Sequence, residues 1–155
     1  MDALAGLKVL ELGQLIAGPF AGKTLADFGA DVIKIEPVEG GDPLRGWRLL
    51  REGTSVWWEV QSRNKRSVAL DLRAASGQAA VRALAAQADV LIENFKPGTL
   101  EGWGLRLEPE RWVFVPVFSL LIGGVNIHFA EVARSSYLLA LAGHYRFEPR
   151  PVAPA

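Results

Sequence analysis

The sequence contains no cysteine. Disulfides, thiolate metal sites and a cysteine nucleophile are therefore excluded. It also lacks an excess of charge of either sign: seventeen basic residues balance seventeen acidic ones. That balance rules out the broad positive field of a general nucleic-acid binder, though not a local basic site. The opening MDALAGLKVLEL carries an acid at position 2 and has neither the basic start nor the long apolar run of a secretory signal, so a cytoplasmic protein is expected. There is no GxSxG, no HExxH and no kinase signature. Neither His128 nor His144 has a partner at ligand spacing, so no metal site is expected.

What is present reads as one folded domain. Half of the 155 residues are hydrophobic and 22% are charged, unlike a disordered chain. Composition breaks near residue 107. Every lysine (Lys8, Lys23, Lys34, Lys65, Lys96) and every aspartate (Asp2, Asp27, Asp31, Asp42, Asp71, Asp89) precedes that point, and both histidines follow it.

Within residues 1–107 the apolar runs Leu7–Leu12, Val32–Glu36, Ser67–Leu72 and Val90–Phe95 have the length and composition of strands. Between the first two, AGPFAGKTLADFGA reads as a helix, with Pro19 in its first turn and Gly29 at its stop. Phe20, Thr24, Leu25 and Phe28 are expected to share its apolar face. A second helix is expected over Ala74–Ala88, with Val81, Leu84, Ala85 and Ala88 as its stripe. Alternating strands and helices predict an α/β fold: a Rossmann-like parallel sheet with flanking helices and right-handed crossovers. Residues 37–66, with Trp47, Trp57 and Trp58, read as a long covering loop, and loops of that length tend to be functional.

The turn Gly13-Gln14-Leu15-Ile16-Ala17-Gly18-Pro19 places small residues and a helix start at the carboxyl end of a strand. Ligands of open α/β sheets bind at that edge, although a tight turn that needs glycine for geometry alone is commoner. Arg63, Lys65 and Arg66, with Arg73 beyond them, could hold phosphates or could form an ordinary solvated patch. Asn94 and Phe95 end the fourth strand at the same edge, where an aromatic either packs in the core or stacks on a flat ring.

In combination these segments are more specific. GLKVLELGQLIAGPFAGKTLADFGADVIKIEPVEGGDPLRG, SRNKRSVALDL and ADVLIENFKPGTLEGWGL resemble, in order and spacing over residues 5–105, the start of a family III coenzyme A transferase of the CaiB/BaiF, carnitine-dehydratase-like group. Alpha-methylacyl-CoA racemases share much of the pattern and are the nearest enzymatic alternative; a non-catalytic CoA-binding remnant is another. The resemblance implies transfer of CoA from an acyl thioester to a carboxylic acid, with acyl-CoA as substrate rather than cofactor. An aspartate would attack the thioester to give an enzyme-bound anhydride and free CoA thiolate. It implies CoA contacts at Leu70, Leu72 and Arg73 and at Asn94 and Phe95, with Arg73 on a nucleotide phosphate. Gln14, Ile16 and Ala17 would lie near the thioester. Ile16 stands where formyl-CoA transferases have glutamine, and Gly102 where several relatives have a basic residue. Intact members are homodimers. The family nucleophile lies downstream of the ENF block, yet no aspartate follows Asp89, so the catalytic set is expected to be missing and the chain inactive alone.

Residues 108–155 read as a divergent tail, favoured as the product of a truncation or frameshift. Nineteen residues from Trp112 to Ala130 lack Asp, Glu, Lys and Arg, barely the length of a membrane span. Pro116, Gly123, Gly124, Asn126 and His128 count against a span. A variant ending with a strand and a helix near Ala130–Ala142 is the remaining reading. Such a tail would expose apolar surface unless it packed on the sheet or a partner, so poor solubility of the isolated chain is expected. Size-exclusion chromatography checks this, and a monodisperse soluble monomer contradicts it.

Overall fold

The computed structural model describes residues 2–96, 98–105, Leu107 and the short strand Phe114–Pro116. The first β-branched and leucine-rich run forms β1, Lys8–Glu11, and helix α1, Ala17–Asp27, returns the chain to β2, Asp31–Glu36. β5, Lys65–Ala69, leads through α3, Ala75–Ala85, to β6, Val90–Glu93. A short helix, α4, covers Thr99–Gly102, and β7 is Phe114–Pro116. The sheet order is β5-β2-β1-β6-β7, with every pairing parallel. The chain winds outward from β1 to β5, then crosses back to β6 on the other side of β1. Right-handed crossovers in opposite senses place α1 and α3 on opposite faces.

The period-2 alternation of the strands decides what each face packs. Leu10, Leu12, Ile35 and Leu91 bury against Val81 and Ala85 of α3, with Leu100 and Leu105 closing the same cluster. Val9, Val32 and Ile92 meet Ala26 and Ala30 under α1. Each fully buried aliphatic side chain contributes roughly 1.5–3 kcal/mol, so the two clusters supply most of the cohesion.

Helix α1 departs from the sequence expectation. Phe20 and Phe28 are 55% and 58% exposed, and the buried face is Ala17, Gly18, Pro19, Gly22 and Ala26. The cause lies in the sheet beneath. Glu11 points up from β1, and a Cβ on Gly22 would stand 1.9 Å from its Oε2. Only a face of small residues lets the helix settle over that carboxylate.

The strand expected over Ser67–Leu72 begins two residues earlier and ends at Ala69. Lys65 and Arg66 enter the ladder opposite Val32 and Ile33, so Leu70–Arg73 lie in the loop beyond the strand. Residues 37–66 are not a plain loop. They hold a 3-10 turn at Pro43–Gly46, a hairpin of β3 (Leu50–Arg51) and β4 (Thr54–Ser55), and helix α2, Val56–Gln61. Ser55 caps α2 by accepting from the N–H groups of Trp57 and Trp58. Trp47 and Trp57 meet edge to face at 5.8 Å, while the Arg45 guanidinium lies 3.8 Å from the Trp58 ring centroid.

The apolar run 112–130 supplies β7, which extends the sheet beyond β6 through Leu91↔Phe114 to Glu93↔Pro116. The other expectations for 108–155, including a helix near Ala130–Ala142, lie outside the described residues. Among the described residues no helix is long and apolar enough to cross a membrane.

Gly22→Ala is expected to destabilise the protein by about 1–3 kcal/mol, as overpacking against a buried group does. Gly102→Ala, where nothing lies within 4 Å of a built Cβ, is expected to be neutral. Thermal unfolding of the two variants checks the contrast.

Candidate functional site

The winding reverses between β1 and β6, and the loops leaving their carboxyl ends part there, which is where open α/β sheets hold ligands. Two glycines shape the β1 loop. A Cβ on Gly13 would lie 2.7 Å from the Gly18 Cα, so the turn doubles back against the start of α1 only without side chains at both positions. Asn94, just past β6, spans the crevice. Its Oδ1 accepts from Gln14 N–H at 2.8 Å and its Nδ2 donates to Gln14 O at 2.9 Å.

Beside this crevice lies an open cleft of about 740 Å³, a size suited to a small organic ligand. Leu12 and Gln14 line it from β1, Ile35–Glu39 from the end of β2, Leu70–Arg73 from the loop after β5, and Phe95 and Trp103 from beyond β6. Phe95 and Trp103 pack edge to face at 5.3 Å, and the Arg73 guanidinium lies 5.3 Å from the Trp103 ring centroid. The Asp71 carboxylate accepts from Arg73 N–H at 2.9 Å, shaping the turn that presents Arg73. Arg73 is exposed and is the only cation lining the cleft among the described residues.

The floor is held by charge. Glu36, at the end of β2, accepts from Arg45 Nε at 2.7 Å and Nη2 at 2.9 Å, from Asp42 N–H at 2.9 Å and from the Ser67 hydroxyl. Burial acts to raise its pKa, but these donors outweigh it and bring the carboxyl from 4.5 down to about 2. The same pairing raises the Arg45 pKa. Deeper in, Lys34 Nζ lies 2.9 Å from Glu11 Oε1, 2.8 Å from Asp42 Oδ2 and 2.7 Å from Gly13 O. Lys65 Nζ lies 2.7 Å from Glu11 Oε2 and donates to Pro19 O at 2.7 Å. Burial depresses the Lys65 pKa, opposed by Glu11. At the far end of β6 burial also raises the pKa of Glu93, whose Oε2 accepts from Phe95 N–H at 2.8 Å.

Of the eight residues singled out in the sequence, Gln14, Leu70, Leu72, Arg73 and Phe95 share this cleft. Asn94 stands behind it, gripping Gln14. Ile16 and Ala17 do not line it: Ile16 is the N-cap of α1, and Ala17 is buried beneath the turn. The basic cluster falls elsewhere. Arg63 and Asn64 reach Asp27, Arg66 pairs with Asp31, and the Lys65 side chain is 2% exposed. Arg63 and Arg66 answer carboxylates on α1 and at the opposite end of the sheet, and Lys65 is buried against Glu11 beneath α1, so they are not free to hold a phosphate at the cleft. Sequence reasoning passed over Trp103 and the wall 35–39. Trp103 had a signal, an aromatic one short helix beyond Phe95, whereas nothing local marks Pro37 or Val38.

A parallel sheet wound in two directions, with a cleft beside its switch point, places the chain among doubly wound α/β proteins, which hold ligands at that edge. Residues 4–112 match CoA-transferase family III, and the chain belongs to that family. Among curated relatives, the succinyl-CoA–D-citramalate CoA-transferase of Chloroflexus aurantiacus is 54% identical over 106 residues, 68% of this chain and 26% of that protein. The succinate–glutarate CoA-transferase of Agrobacterium fabrum is 44% identical over 70% of this chain and 29% of that protein. The chain thus spans about a quarter of the length of the curated relatives it matches. Among solved structures, a CAIB/BAIF family protein from Brucella suis superposes with a TM-score of 0.62 at 46% identity, covering 68% of this chain and 29% of that one. A hypothetical protein from Mycobacterium tuberculosis gives a TM-score of 0.64 at 34% identity over 74% of this chain and 32% of that one. The family match runs a few residues past the compositional break at 107 and stops short of β7.

Glu36 also sets an acid limit on the fold. Its folded pKa, about 2, lies below its ordinary 4.5, so its pairing stabilises the protein above pH 4.5, and that contribution is lost as pH falls toward 2. Glu36→Gln is expected to lower the Tm at pH 7 and to flatten the fall of Tm between pH 4.5 and 2. Melting curves across that range check it.

Proposed function

We propose that this chain forms the CoA-nucleotide-binding part of a family III CoA-transferase, an enzyme that moves CoA from an acyl-CoA thioester to a carboxylic acid. The observation that carries the reading is the convergence of Gln14, Leu70, Leu72, Arg73 and Phe95 on one cleft in a chain of this family. The adenine would lie among Leu70, Leu72 and Phe95, with Trp103 behind Phe95. Arg73 would meet a nucleotide phosphate through charge-assisted hydrogen bonds. The pantetheine arm would then run toward the turn at Gln14, and the thioester would come near Ile16 and Ala17.

The chemistry would be covalent catalysis by a carboxylate. An aspartate attacks the thioester carbonyl, the C–S bond breaks and CoA leaves as thiolate. The acceptor carboxylate then attacks the aspartyl carbonyl of that anhydride and expels the donor acid as its carboxylate; CoA thiolate attacks the acceptor carbonyl of the new anhydride, forming the product thioester and releasing the aspartate. The turn residues of this chain would orient the thioester for that attack, and closure over the cleft would keep water from the anhydride. No aspartate follows Asp89, whose Oδ2 accepts from Lys8 N–H at the start of β1, at the other end of the sheet from the cleft. The 155 residues alone are therefore expected to bind CoA without exchanging thioesters. The names of the relatives point to succinyl-CoA as donor and a dicarboxylic acid as partner, and they favour transfer over racemisation.

Isothermal titration with CoA at millimolar concentration tests the binding reading. Arg73→Ala is expected to weaken binding about tenfold, the loss of one charge-assisted contact of about 1.4 kcal/mol. Unchanged heat in that variant overturns the site.

A further inference from the structure

The turn Gly13–Ile16 lies outside any helix or strand, yet three successive residues of it have backbone groups taken by side chains from elsewhere. Lys34, from β2, donates to Gly13 O at 2.7 Å. Asn94, from beyond β6, holds both the N–H and the carbonyl of Gln14. Asp42, from the segment after β2, accepts from Leu15 N–H at 3.0 Å. The last contact stands out because Leu15 has φ +63°, a left-handed conformation that L-residues avoid. Its side chain is 42% exposed, so packing is a weak hold on that conformation; the N–H contact supplies the grip.

Asp42 is built for that task. It is 1% exposed, and its Oδ1 is shared by Leu15 N–H and Leu44 N–H while its Oδ2 meets Lys34 at 2.8 Å. Its own N–H donates to Glu36, which fixes Asp42 to the end of β2. Lys34, also 1% exposed, is balanced in turn by Glu11. Two carboxylates and two ammonium groups, counting Lys65, thus alternate through the layer between sheet and α1. Well-packed aliphatic side chains would serve stability there at least as well. What they could not supply is directed donors and acceptors for Gly13 O, Leu15 N–H and Pro19 O.

We propose that Asp42 and Lys34 are positioning residues that hold the Gly13–Ile16 turn in its strained, ligand-ready shape, acting on the bound thioester only through that turn. Their consequence for ligand rests on the acyl-CoA reading above, because it is the turn that would meet the pantetheine and thioester end. The adenosine diphosphate end would lie on Leu70–Arg73 and Phe95, which Asp42 does not touch.

The test uses the full chain in four forms: wild type, Asp42→Ala, Asp42→Asn, and Asp42→Ala combined with Leu15→Gly. Hydrogen exchange is followed over residues 13–18, with α3 as internal reference, alongside titrations with CoA and with ADP. In Asp42→Ala, exchange over 13–18 is expected to accelerate about tenfold or more beyond whatever acceleration α3 shows. CoA affinity falls about tenfold and ADP affinity less than about twofold. Leu15→Gly, which adopts a positive φ freely, is expected to recover much of both losses. Asp42→Asn keeps an acceptor for the two N–H groups and is expected to stay within about threefold of wild type in local exchange. Unchanged exchange over 13–18 in Asp42→Ala overturns the proposal, as does equal acceleration in α3, equal loss of CoA and ADP, or no recovery with Leu15→Gly. Should Asp42→Ala fail to fold, acceleration well beyond threefold in Asp42→Asn overturns it. A wild-type chain that binds neither CoA nor ADP sinks the acyl-CoA reading, and the exchange data then still decide whether Asp42 holds the turn.

Discussion

Four charged side chains buried between the sheet and α1 constrain the rest of this molecule. Glu11, Lys34, Asp42 and Lys65 neutralise one another within 2.7 to 2.9 Å. Opposite charges removed from water must find close partners, and losing one partner from such a set costs about 3–5 kcal/mol. The helix above must therefore present small residues, which is why Gly18, Gly22 and Ala26 face inward and Phe20 and Phe28 face out. The segment after β2 must return far enough to deliver Asp42, and β5 must start early enough to deliver Lys65. Local composition alone would have chosen differently at each of these points.

The cleft grows from the same arrangement. A parallel sheet wound in two directions from β1 leaves a crevice where β1 and β6 diverge, and the loops there are free to vary because the strands below are pinned by two apolar clusters. The charge set supports one lip of that crevice, the turn at Gln14, while Glu36 with Arg45 and Ser67 supports the floor beside it. Among the described residues Arg73 pairs with no carboxylate. On the proposed reading this exposed cation would meet an anionic group of the ligand, whereas Arg45 and Arg66 are paired with carboxylates. Membership of CoA-transferase family III gives that anion a chemical identity to be tested.

Much of the fold was legible in the chain. The β-branched runs marked β1, β2 and β6 to within a few residues, and Gly29 marked the stop of α1. The face of α1 was misjudged because a helical wheel ranks Phe above Gly, whereas the neighbour beneath was a carboxylate rather than a methyl group. Residues 37–66 looked like loop because their strands are two residues long and α2 only six, too short for any periodicity to show. In the site, Arg73 was marked by its charge and Phe95 by its place at a strand end, whereas Leu70 and Leu72 were reached only through the family resemblance. Trp103 and the 35–39 wall were not reached, since their role depends on where α4 and the end of β2 sit in space.

The sequence by itself determined the class of fold and the order of the main sheet strands β1, β2, β5 and β6 with the helices α1 and α3 between them. These follow from side-chain period, β-branching and glycine placement, which act over a few neighbouring residues. Only the tertiary structure decided which charges are free and which are consumed. Arg63, Lys65, Arg66 and Arg73 look alike along the chain. The partner of a cation is set by sheet register and crossover, which bring Glu11, Asp27 and Asp31 to the first three and leave the fourth facing the cleft.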